Sequence, residues 1–81
     1  MSKPVFSLYG RKYCHLCEDM LAALETLRGE FSFEVTVVDV DTDPVLEERY
    51  DELVPVLTLG DAEICHYFLD VAKVREVLAG L

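Results

Sequence analysis

The sequence predicts an α/β domain in the element order βαβαββα, a four-stranded mixed sheet with helices on both faces. Three observations carry that reading. Two strand-like stretches, VFSLY at residues 5–9 and FSFEVTVVDVD at 31–41, bracket a segment with helical apolar spacing. Gly60-Asp61 joins two short apolar runs, which is a hairpin signal. Thr42 or Asp43 before Pro44, and Asp70, each precede a further helical run, as capping residues do.

The elements follow in order. Val5 to Tyr9 is short, apolar and aromatic, and Gly10 stops it, so it reads as a buried strand. From Cys14 onward Leu16, Met20, Leu24 and Leu27 recur on one face of a helix. Glu18 and Asp19 suit the positive end of its dipole, and Gly29 is its expected C-terminal stop. Residues 31–41 are rich in β-branched and aromatic side chains, and make the second strand. Strand, helix, strand implies a parallel pair with a right-handed crossover. Residues 44–52 make a short helix, and Val54–Leu59 with Ala62–Cys65 make the hairpin. Val71, Val74, Leu78 and Leu81 mark the apolar face of a last helix capped by Asp70. With no repeat, linker or low-complexity tract, residues 1–81 form a single domain.

Composition bounds the function. The chain is 52% hydrophobic, enough for a core, although a domain this short buries only about 60% of its unfolded surface. Sixteen acidic against seven basic residues give a net charge of −9. Nucleic-acid binding needs clustered Lys and Arg, so it is not expected, and the acid excess also disfavours anionic membranes. Met1 to Pro4 lead into strand-like sequence without a basic and then apolar leader, so no signal peptide is expected. No apolar run approaches the ~20 residues of a membrane span. The expectation is a cytoplasmic monomer.

Three cysteines do not suit a secreted disulfide framework, and in a reducing compartment a CxxC pair is catalytic or metal-binding. Cys14 and Cys17 fall where the first strand gives way to a helix. A thiolate at a helix start is stabilised by unpaired N–H groups and the dipole, and Arg11 and Lys12 add positive charge. Cys17, one turn on, is close enough to close a small disulfide with Cys14, and is expected to face inward. Cys14 would then attack a substrate disulfide and Cys17 would resolve the mixed disulfide. His15 has two open roles, a modulator of the Cys14 thiolate or an exposed spacer. The rival is half of a zinc site, but Cys65 and His66 are adjacent, which is poor geometry for one tetrahedron. No metal is expected. DVDTD at 39–43 lacks the glycine and the twelfth-position Glu of a calcium loop, because Pro44 and Tyr50 stand there. Tyr67 and Phe68 read as core or hairpin-edge packing.

A strand, then RKYCHLC opening a helix, then LVPVLTL some forty residues later resembles the glutaredoxin branch of the thioredoxin-like superfamily. The short bacterial glutaredoxin-like proteins are the nearer match, and the resemblance spans nearly the whole chain. It implies a thioredoxin fold and a thiol–disulfide oxidoreductase of cell redox homeostasis. Such an enzyme reduces or exchanges protein or glutathione mixed disulfides. It has no bound cofactor, glutathione is a candidate co-substrate, and the reductant is glutathione or a reductase. The resemblance also implies that Pro55 is cis and faces the CxxC, so that Val54 offers its backbone to substrate or glutathione; the residues alone also allow a trans proline opening an edge strand. Arg11 matches a basic position that helps hold glutathione's glycine carboxylate, and Tyr13 flanks the nucleophile.

The departures are specific. His15-Leu16 replace Pro-Tyr, and Leu53 replaces the Thr before Val-Pro. Cys65-His66, then Tyr67-Phe68, replace the Gly-Gly whose following acid grips glutathione; the first acid here is Asp70. Cys65 is open between a second resolving thiol, a site for glutathione, and a partly buried apolar residue. Two rivals of other classes are a metal or iron–sulfur carrier using Cys14, and a redox-inactive module that docks a basic partner.

Overall fold

Alternation along the central strands divides the molecule into two cores. In a computed structural model describing residues 3–81, β1 (Val5–Gly10) buries Phe6 and Leu8 on one face and presents Tyr9 to the other. β3 (Val56–Leu59) does the same with Leu57 against Val56. Successive side chains on a strand point to opposite faces, so both faces of such strands need cover. On the first face that cover is α1 (His15–Leu27), which buries Met20, Leu24 and Leu27, and α3 (Val71–Ala79), which buries Val74 and Leu78. Phe33 meets Phe6 edge to face at 5.4 Å in the same core. On the second face a 3-10 turn (Val40–Thr42) and α2 (Pro44–Tyr50) lay Val40, Leu46 and Tyr50 over Tyr9 and Val56. The rings of Tyr9 and Tyr50 stack at 4.5 Å.

The strand order is β2-β1-β3-β4, with β2 at Glu34–Asp39 and β4 at Ala62–His66. β1 and β2 are parallel, and the β1–β3 and β3–β4 pairs are antiparallel. The expected mixed sheet, its parallel βαβ unit and the hairpin at Gly60 (φ +61°) are therefore present. Helices lie on both faces, as the order βαβαββα requires.

Several boundaries differ from the sequence expectation, each for a local reason. β2 spans Glu34–Asp39 rather than 31–41, because Phe31 N–H turns back to Leu27 O and the Asp39 carboxylate accepts from Asp41 N–H, starting the 3-10 turn. β3 starts at Val56 rather than Val54; Pro55 has no N–H to give the ladder. Gly29 is no left-handed stop, since α1 ends on Arg28 with φ −64° and Gly60 is the one positive-φ glycine among the described residues. Val71, the first residue of α3, and Leu81, beyond its end, lie exposed rather than in its buried stripe. Met1 and Ser2 of the expected leader-free start lie outside the described residues. No helix among the described residues is long and apolar enough to cross a membrane.

Candidate active site

Three segments emerge at one end of the sheet. Tyr9 pairs with Val56 and Val56 with His66, so the chain beyond Gly10, the turn before Val56 and the loop after His66 lie side by side. The first carries Cys14 and Cys17, the second Val54 and Pro55, the third Tyr67 to Asp70. Antiparallel pairing alone brings together residues some forty apart in the chain.

Cys14 is the N-cap of α1, in extended conformation, and its Sγ accepts from Cys17 N–H at 3.1 Å. The cysteine thus takes the part that Ser or Asp takes at most helix starts. Cys14 and Cys17 form a disulfide, with Cα atoms 5.2 Å apart. Both residues are half-buried. The predicted position at a helix start holds to the residue, and it aims a backbone donor and the helix dipole at Cys14 sulfur. Glu18 N–H closes the first turn onto Cys14 O at 3.1 Å.

Gly10, read from sequence only as a strand stop, is part of this site. A Cβ placed there would lie 2.9 Å from Cys17 Sγ, closer than packed atoms come, and a tight 3.3 Å from its Cβ. The backbone at Gly10 therefore forms the wall against which Cys17 rests. A glycine closing the strand before the motif was the available signal. On the β2 side a cleft of about 310 Å³ opens between Cys17, Gly10, Leu8, Leu21 and Val37. It leaves Cys17 room to turn when the disulfide opens.

Arg11, the basic position of the resemblance, is half-buried and paired with two carboxylates. Its Nη2 donates to Asp51 at 2.8 Å and its Nε to Asp41 at 3.1 Å. Asp51 foremost, and then Asp41, hold its proton more tightly than usual. With two of its donors on these carboxylates, it clamps the Cys14 loop to the 3-10 turn and to the turn leading to Val54. Lys12 is the cation of the Cys14 loop left without an ion-pair partner among the described residues. Tyr13 is 97% exposed, with φ +58°. The His15 side chain points to solvent, 3.9 Å from Glu18, in the manner of the spacer reading.

The Val54–Pro55 bond is cis, as the resemblance implies. Pro55 is buried, Val54 is half-buried, and Pro55 O accepts from Tyr67 N–H at 2.9 Å. That bond ties the loop after β4 to the proline turn. Tyr67 has φ +63°, and Phe68 is 70% exposed, so the packing expected for these two residues is overturned for Phe68. The loop turns back on itself through Phe68 N–H to His66 O, which throws the ring outward. Cys65 is half-buried against the first core, and burial, the largest influence, pushes its thiol pKa up. His66 pairs with Glu63. No three His, Cys, Asp or Glu side chains among the described residues gather as metal ligands would.

The profile of the Glutaredoxin-like domain (DUF836) family matches residues 6–79. A solution NMR structure of protein Ne2328 from Nitrosomonas europaea is 38% identical, with TM-score 0.82 over 96% of this chain and 94% of that one. An X-ray structure of protein XcR50 from X. campestris is 32% identical, with TM-score 0.72 over 94% and 97%. Thioredoxin 1 from Thermosipho africanus, 18% identical with TM-score 0.61 over 93% and 94%, shows the thioredoxin fold.

Proposed function

Because the chain belongs to the glutaredoxin-like family, we propose that it is a thiol–disulfide oxidoreductase working through the Cys14–Cys17 pair. The observation that carries this is the disulfide at the start of α1, with Cys14 as cap and Cys17 N–H on its sulfur. In the reduced protein that N–H and the helix dipole favour the Cys14 thiolate over the thiol. The thiolate attacks one sulfur of a substrate disulfide; that bond breaks and the other substrate sulfur leaves as a thiolate. Cys17 thiolate then attacks Cys14 sulfur, forming the Cys14–Cys17 bond and releasing the second substrate thiol. Two electrons have passed to the substrate, and a thiol reductant, glutathione or a reductase, returns them. Val54 and Pro55 shape the groove in which the substrate chain would lie beside Cys14. Tyr13 flanks that groove and Arg11 braces it. Cys65 plays no part in the exchange.

The test is intact mass after equilibration across glutathione redox buffers, with free thiols alkylated. The expected result is a loss of two hydrogens mapping to Cys14 and Cys17 with a defined midpoint, absent in Cys14→Ser. Thiols that stay free throughout, or an adduct confined to Cys65, would overturn the reading.

A further inference from the structure

Resting on that reading, we infer that the substrate of the Cys14–Cys17 dithiol is a disulfide-bearing polypeptide with an apolar and a basic side chain beside its reactive cysteine, in preference to glutathione disulfide. The end of the sheet that carries Cys14 also carries three exposed aromatic rings. Tyr13 lies beside Cys14, Tyr67 is bonded to Pro55, and Phe68 follows it. Tyr13 and Tyr67 are the only non-glycine residues with positive φ among the described residues. Bulky side chains seldom adopt that backbone, and such strain concentrates at binding sites. Exposed apolar groups at the same end of the sheet as a reactive sulfur form a surface for an apolar partner. Aromatic rings supply most of the energy of such contacts at low entropic cost.

Charge at this end selects among apolar partners. Arg11 of the Cys14 loop is paired with Asp41 and Asp51, and Glu18 and Asp70 add further negative charge. Glutathione carries carboxylates at both ends and meets Lys12 alone as a partnerless cation of the Cys14 loop. A Lys or Arg on a polypeptide meets an acidic rim, which favours its encounter and penalises the anion. The chemistry is the two-electron exchange described above, with the polypeptide disulfide as acceptor.

The experiment is single-turnover reduction by the pre-reduced protein of three acceptors. These are peptide disulfides of equal length with Phe and Arg, or with Ser and Asp, beside the cysteine, and glutathione disulfide. The Phe-Arg peptide is expected to react about tenfold faster than either alternative at low salt, a difference of roughly 1.4 kcal/mol. Raised salt should shrink the advantage over the Ser-Asp peptide. Phe68→Ser and Tyr13→Ser should collapse the ratio, and an unchanged melting temperature would show that they still fold. Glutathione disulfide reacting as fast as the Phe-Arg peptide, or a full preference surviving in both variants, overturns the inference and leaves the dithiol chemistry standing. Concentration-dependent dimerisation lost in Phe68→Ser would assign the rings to a second copy and overturn it too. A protein that reduces none of the three fails both readings.

Discussion

Gly10 and Cys65 show how much a single residue's surroundings decide. At Gly10 the missing side chain makes space for Cys17 sulfur, 2.9 Å from where a Cβ would lie. In the disulfide that sulfur is tethered and cannot yield, whereas the free thiol can rotate toward the cleft beside it. Gly10→Ala should therefore destabilise the oxidised protein more than the reduced one. Overpacking of this kind costs about 1–3 kcal/mol. At ~30 mV per 1.4 kcal/mol the midpoint should move about 20–60 mV toward a stronger oxidant, which glutathione redox buffers would read. An unmoved midpoint would mean that the backbone gives way instead. Cys65 lies against the first core, and its raised pKa keeps it a neutral thiol at neutral pH. Its alkylation at pH 8 should be slower than that of a free thiol, and Cys65→Ser should leave turnover intact. A large loss of turnover would make it a second resolving thiol after all.

At the scale of elements, three aspartates set where structure turns. Asp39 starts the 3-10 turn, Asp43 caps α2 through Val45 N–H at 2.9 Å, and Asp70 caps α3 through Lys73 N–H at 3.0 Å. Asp43 and Asp70 were readable, because a short acceptor before a helical run has one common use, whereas Asp39 was read as part of the second strand. Asp70→Ala should cost about 0.5–2 kcal/mol. In a domain of this size each kcal/mol lowers the melting temperature by about 4–8 °C, so calorimetry would detect the change. A transition that does not shift would mean that packing, not the cap, holds the start of α3. The same loop ties Tyr67 N–H to Pro55 O, so an accompanying loss of peptide reduction would show that α3 positions the groove. The packing expected for Phe68 fails because two aromatics after an apolar strand look like core or hairpin edge by pattern alone. Their exposure follows from a turn in which Tyr67 has positive φ and Phe68 N–H bonds back to His66 O, which composition does not encode.

For the molecule as a whole, one sheet carries two thin cores, and the site lies where three strands end together. Folded domains of this length hold only about 0.05–0.15 kcal/mol per residue of net stability. The rigid setting of Cys14 therefore depends on the sheet and both helical layers together. What the sequence by itself determined is the order of elements, the mixed sheet and the dithiol at a helix start. Those follow from apolar periodicity, turn residues and capping residues, all of which act within a few positions. Only the tertiary structure decided that Arg11 is spent on Asp41 and Asp51, thirty and forty residues away. It also decided that Gly10 backs Cys17 and that Tyr13, Tyr67 and Phe68 are exposed at the end of the sheet that carries Cys14. Those facts depend on which strand ends become neighbours and which carboxylates face a guanidinium, and no local pattern in the chain records them.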